Sequence, residues 1–301
     1  MIFLKHIKMN LYFFMKLMRD AILVLFVPHR LYRRYEYKGE LFSQGSSLEI
    51  EFDKFRSEMR SALGSNYFKI SYKEYSRQNL IKHFVLGSQF IQMLRWYRAT
   101  HFLRSYKDSS LEEFYNGQIG RSYCGILKLN NVDWLKSHII QFSIIQKYFK
   151  NKEISYVEIG GSSGVLPLFA AYLGYDYVVN SDYNTYDVLL SKGVAENLGL
   201  GNFEVAKDVI DPHLRGRFDI VSCHQVIEHT PNPYSFLAML KSLMSVNSLL
   251  ILSHGYHLPI YPGHIPHYSE QELEESFTKV GLSVVATSEG NTYYLQKVES
   301  C

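Results

Sequence analysis

Residues 157–182 read VEIGGSSGVLPLFAAYLGYDYVVNSD. A short β-rich run leads into a knot of glycines and serines. An apolar run with helical spacing follows, then a second β-rich run that ends on Asp182. Small residues after one strand let a ligand approach the backbone, and a carboxylate after the next strand can accept from paired hydroxyls. The layout is that of a β-α-β unit holding a nucleotide-like ligand at its sheet edge.

The same texture continues outward. ISYVEI (154–159), DYVVNS (176–181), FEVA (203–206), FDIVSCH (218–224) and SLLILS (248–253) read as strands. Between them lie helical runs: VLPLFAAYLG (165–174), YDVLLSKGVAENLG (186–199) and NPYSFLAMLKSLM (232–244). SEQELEESFTKVG (269–281) adds a helix, with Ser269 and Glu272 forming a capping box. LSVVATS (282–288) and TYYLQKV (292–298) then follow one another with no helix between. Strand–helix alternation predicts an α/β fold with a doubly wound, mostly parallel sheet, and the closing pair predicts an antiparallel end.

Upstream the pattern is different. FDKFRSEMRSAL (52–63), NLIKHFVLGSQFIQMLRWYRATHFL (79–103) and VDWLKSHIIQFSIIQKYFK (132–150) space their apolar residues helically. Three segments are expected: a basic amphipathic N-terminus over 1–35, a helical extension or cap over 36–150, and the α/β domain over 151–301.

Charge separates the first segment from the rest. Up to Tyr35 there are seven Lys/Arg against Asp20 alone, a net +6; the remainder has 25 basic and 28 acidic residues. This balance gives no general case for a nucleic-acid partner. Lys5, Lys8, Lys16 and Arg19 fall on one stripe of a helix whose other sides are apolar. Charges interrupt every apolar run before the ~20 residues a spanning helix needs. Residues 1–27 suit peripheral contact with an anionic membrane surface; the same pattern fits a helix docked on its own domain. Three scattered cysteines, Cys124, Cys223 and Cys301, make neither a disulfide framework nor a zinc pattern, which fits a reducing, cytoplasmic compartment.

Gly160, Gly161 and Gly164 are expected to bring the backbone to a ligand and to offer it amides. The dinucleotide pattern G-x-G-x-x-G fails from Gly160, because Ser162 and Val165 stand at its second and third glycines. Glu158, just before the loop, would repel a pyrophosphate and suits a cationic ligand; its plainer reading is a solvated strand-end charge. Asp182 and Asp208 follow the second and third strands.

FDIVSCHQVIEHTPNP (218–233) carries a resemblance. An Asp-hydrophobic strand, the pair Glu228-His229 and a Pro-containing loop are similar to the class I S-adenosylmethionine-dependent methyltransferases, small-molecule branch. The resemblance covers about residues 154–298. It implies the Rossmann-like methyltransferase fold and S-adenosylmethionine as cofactor. It places Glu158, Gly160, Gly161 and Gly164 in the family's first motif, Asp182 at the ribose, Asp208 on the adenine side and Gln225 near the methionine part. The family's usual glycine is replaced here by Ser162.

The ligand this implies is a sulfonium cation carrying adenosine, which needs carboxylates rather than a phosphate cradle. A base is needed only where the acceptor must lose a proton. HGYHLPIYPGHIPH (254–267) offers His264 and His267 as candidate catalytic bases. Its spacing permits a metal site but has no rigid i, i+4 pair, so no metal is expected. The expected activity is methylation of a small-molecule, sugar or lipid-linked acceptor, on oxygen. The alternative is a non-catalytic cofactor-binding or interaction protein on the same fold.

Overall fold

The computed structural model describes residues 46–63, 132–149, 153–207, 212–230, 232–254, 268, 270–288 and 291–298. Asp208, His264, His267, Ser269, the segment 1–27 and the run 79–103 lie outside the described residues.

Two helices precede the sheet: α1 (Ser47–Leu63) and α2 (Val132–Tyr148). The alternation then runs β1 (Ser155–Ile159), α3 (Val165–Tyr172), β2 (Tyr177–Ser181), α4 (Thr185–Asn197) and β3 (Phe203–Ala206). It continues with β4 (Phe218–His224), α5 (Pro233–Leu243), β5 (Met244–Ser253), α6 (Glu270–Val280), β6 (Leu282–Ser288) and β7 (Thr292–Lys297). The seven strands are ordered β3-β2-β1-β4-β5-β7-β6. The first five are parallel, and β7 runs antiparallel to both β5 and β6. The last strand therefore inserts between β5 and β6.

Some boundaries differ from the sequence reading: α1 begins five residues earlier, at Ser47. Met244, expected to end a helix, instead begins β5. Apolar spacing is compatible with either element there. The pairing of Met244 with Phe218 across β4 and β5 decides it, at the cost of a register shift before Ile220.

Period-two alternation divides the core. Val157, Ile159, Val221 and Cys223 point to the face covered by α5 and α6, where Leu237, Leu240, Leu273 and Phe277 are buried. Tyr156 and Ile220 point to the other face, under α2 and α3. Helix α1 contributes a stripe of Leu48, Phe52, Phe55 and Met59, at the three- and four-residue spacing that puts side chains on one side. From α2 come Ile139, Phe142 and Ile145. Phe169 of α3 receives Phe52 edge-on at 4.7 Å and Phe142 edge-on at 5.0 Å. Each buried aromatic contributes roughly 1.5–3 kcal/mol by burial. The two described N-terminal helices thus share one apolar core with β1 and α3.

Candidate cofactor site at the carboxyl edge of the sheet

Strand order reverses direction between β1 and β4. In an open α/β sheet, the crevice at that point, outside the carboxyl ends of the strands, is where ligands bind. The loops after β1 and β4 touch there: a Cβ on Gly160 would lie 2.3 Å from Cγ2 of Val226. Gly160 also has φ +73, a conformation that disfavours any side chain.

The glycine loop rests on one buried side chain, Asn180 of β2. Its Nδ2 donates to the carbonyl of Ser162 and to Oγ of Ser191, both at 3.0 Å. A Cβ on Gly161 would fall 2.1 Å from Oδ1 of Asn180, and one on Gly164 would fall 2.8 Å from Nδ2. These two glycines are small because Asn180 occupies the space beneath them. The sequence reading passed over Asn180. Its signal was a polar residue at an inward position of an otherwise apolar strand.

The loop amides do not stand open to a ligand, contrary to the sequence expectation. The N–H groups of Gly160 and Gly161 donate to the carbonyl of Ser181, at 2.8 and 3.1 Å. Gly164 donates to Gly161, and the Ser162 amide donates to Oδ2 of Asp182 at 2.8 Å. Backbone pairing takes these donors because burial forbids leaving them unmet. These four amides are therefore taken up by the protein itself.

Ser162 has φ 51, in the left-handed region that favours glycine. Three bonds hold it there. Besides its amide and carbonyl, its Oγ donates to Oδ2 of Asp187 at 2.7 Å. Ser162 thus holds a left-handed conformation despite its side chain.

Asp182 is half-buried at the end of β2. Oδ1 accepts from the amide of Asn184 at 2.7 Å while Oδ2 holds Ser162. Gln225 directly follows β4 with φ 55 and an exposed side chain, its amide donating to the carbonyl of Ser253 at 3.0 Å.

Glu158 is not a solvated strand-end charge; it is 2% exposed. Register places it beside Asn180 on β2 and Ser222 on β4, a polar row across the sheet. Oε2 accepts from the hydroxyl of Tyr156. Burial, then the Glu158 charge, pushes the Tyr156 phenol well above its ordinary range, so it stays a donor. Burial, with the charges of Glu158 and Glu228, likewise raises the Cys223 thiol and leaves it unreactive. His224, the last residue of β4, has Nε2 3.9 Å from Oε1 of Glu158. Sequence reading did not single it out.

Glu158, Gly160, Gly161, Gly164, Asp182 and Gln225 are thus brought together around the ends of β1, β2 and β4. A methyltransferase-domain family model matches residues 137–287. The chain belongs to the class I S-adenosylmethionine-dependent methyltransferases. The match starts inside α2, upstream of the resemblance drawn from Ile154, which accords with α2 sharing the core of the α/β unit.

Solved structures similar to this methyltransferase include a SAM-dependent methyltransferase from Aquifex aeolicus, at 20% identity over 52% of this chain and 89% of that one, with TM-score 0.44. Magnesium protoporphyrin IX methyltransferase from Synechocystis PCC 6803, with bound SAM, is 18% identical over 65% of this chain and 99% of its own, at TM-score 0.48. The ribosomal protein L11 methylase from Lactobacillus delbrueckii subsp. bulgaricus is 14% identical over 55% and 79%, at 0.43. No curated protein matches the chain.

The methyltransferase's cofactor is S-adenosylmethionine, and the donor set fits it. Two carboxylates, Glu158 and Asp182, beside a loop that has already paired the amides of Gly160, Gly161, Ser162 and Gly164 suit a cation with ribose hydroxyls. They do not suit a pyrophosphate.

Proposed function

We propose that this enzyme methylates a small-molecule, sugar or lipid-linked acceptor, on oxygen, at the crevice between β1 and β4. In this reading Asp182 accepts from the ribose hydroxyls and Glu158 faces the cationic end of the cofactor. Gly160, Gly161 and Gly164 form the wall beneath it, Gln225 lies by the methionine part, and Asp208 serves the adenine side. The observation that carries the reading is the meeting of Asp182, Glu158 and the glycine loop at the point where strand order reverses.

When bound, S-adenosylmethionine supplies a methyl group on a sulfonium for in-line displacement. The protein's own contribution is then largely positioning. A hydroxyl acceptor also has to lose its proton, and the segment leaving β5 after Ser253 carries His264 and His267 as acceptors for it. The absence of a basic excess outside residues 1–35 favours a small acceptor over nucleic acid. The unpaired, buried Cys223 thiol fits a cytoplasmic location, and residues 1–27 give peripheral contact with an anionic membrane.

The test is methyl transfer from tritium-labelled cofactor by the full chain. Offered acceptors are a lipid extract, a small-metabolite fraction, an RNA pool and a protein pool. Label in the lipid or small-metabolite fraction is expected. Label confined to RNA or protein overturns the acceptor class.

A further inference from the structure

Glu158 belongs to a buried network that the family motif does not describe. From Tyr156 the network runs to Glu158, whose neighbour across the sheet on β4 is Ser222. Oγ of Ser222 lies 2.9 Å from Nε2 of His224, and Nδ1 of His224 lies 2.9 Å from Oγ of Ser253. Helix α2 closes the network, setting the His138 ring edge-on to His224 at 4.6 Å between centroids. These side chains come from β1, β4, β5 and α2, and they meet at the carboxyl edge directly beneath the glycine loop.

We propose that His224 is a positioning residue for the cationic end of the cofactor, acting through Glu158. The proposal rests on the reading that Glu158 faces that end. With a neutral imidazole, the serine hydroxyls on either side of the ring fix its plane, and the Glu158 carboxylate keeps its charge for the cofactor. A proton on His224 turns it into a counter-ion for Glu158 at 3.9 Å. Protein cation and cofactor cation then compete for one buried carboxylate, and at this separation in a poorly screened site the competition is strong. Among the described residues, the titratable groups shown facing the ring are Glu158 and, through it, Tyr156 from β1, and His138 from α2. Ser222 and Ser253 are neutral. A second proton, on His138, would repel one on His224 at this distance. Cofactor affinity therefore falls as the solution is acidified, and it falls through His224.

Calorimetry across roughly pH 5–7, where the cofactor's own charges are constant, tests this on the full-length protein. S-adenosylmethionine is compared with 5′-methylthioadenosine, which keeps the adenosine and lacks the cationic end. In the wild-type protein the affinity for S-adenosylmethionine should drop with falling pH, by up to about tenfold per unit. Affinity for methylthioadenosine should stay level. In His224→Gln the drop should vanish, with a melting profile showing that the variant is folded. Equal pH slopes for the two ligands in the wild type overturn the proposal without any variant. A folded His224→Gln that keeps the wild-type slope also overturns it. Glu158→Gln separates the two levels of inference. If it binds S-adenosylmethionine as the wild type does, the placement of Glu158 itself is wrong. If it binds weakly while the wild type and His224→Gln titrate in parallel, only the role of His224 is wrong.

Discussion

Oδ2 of Asp182 accepts a 2.8 Å hydrogen bond from the backbone amide of Ser162, so the acid at the end of β2 holds the loop at the end of β1. The proposed ribose acid is thus also a brace for the glycine loop. A substitution there acts on both, and the two effects can be separated by measurement.

Asp182→Ala should lower S-adenosylmethionine affinity strongly. Two charge-assisted hydrogen bonds to the ribose are lost, each worth roughly 1.5–3 kcal/mol. It should also destabilise the protein by about 1–3 kcal/mol, since the Ser162 amide loses its acceptor. Asp182→Asn keeps one neutral acceptor and should show a smaller loss of both. Calorimetry and denaturant melts read the two quantities. A folded Asp182→Ala protein with unchanged affinity would remove Asp182 from the cofactor site.

Gly161→Ala should cost about 1–3 kcal/mol of stability, through overpacking against a side chain that is itself fixed. The added methyl would meet Oδ1 of Asn180 at 2.1 Å and Cγ of Glu158 at 2.8 Å. Asn180→Ala removes the nearer obstacle, so the two substitutions should be clearly non-additive. Chemical denaturation of the four proteins in the cycle checks this. Additive costs would mean that the loop does not rest on Asn180.

The fold was legible in the sequence wherever one periodic signal decided it. Strand–helix alternation after Ile154 and the small-residue loop after β1 needed only local pattern. The insertion of β7 between β5 and β6 was not legible, because pairing between strands distant in sequence leaves no local period. Met244 read as helix for the same reason: its strand partner, Phe218, is far away in the chain. In the site, residue types such as Asp182 and Glu158 could be named from spacing, but their neighbours could not. That Asn180 fills the space under Gly161, or that His138 of α2 meets His224 of β4, follows only from packing. The loop amides were misread because a glycine's φ freedom says nothing about where its N–H points.

Tyr175 offers a stability test with a definite sign. Its hydroxyl is buried with no hydrogen-bond partner, and burial alone raises its pKa well above the ordinary phenol value. The folded protein keeps this proton at a pH where the unfolded chain has lost it. Its contribution is therefore fully present below about pH 10, the unfolded value, and is lost as pH rises from there toward the folded value. Tyr175→Phe removes both an unmet buried hydroxyl and this ionisation. At neutral pH it should be neutral or stabilising by about 1–2 kcal/mol. Above pH 10 its advantage over the wild type should widen. Urea melts at pH 7 and pH 10.5 decide; a variant less stable than wild type at both would mean that the hydroxyl is satisfied in solution.

The N-terminus gives the last prediction. The net +6 up to Tyr35 and the stripe of Lys5, Lys8, Lys16 and Arg19 motivate a helix over residues 1–27 lying on an anionic membrane. Each basic residue near such a surface contributes about 1 kcal/mol, screened by salt, and burial of Ile, Leu, Phe and Met adds to it. No helix among the described residues is long and apolar enough to cross a membrane. Such an anchor would bring the enzyme to a lipid or lipid-linked acceptor. The full chain should co-sediment with vesicles rich in phosphatidylserine at low salt and release as salt rises. A truncation starting at His29 should stay in the supernatant, folded by circular dichroism and with its S-adenosylmethionine affinity intact. If the full chain ignores the vesicles at low salt, or the truncation unfolds, residues 1–27 serve the domain's own core and the membrane role falls.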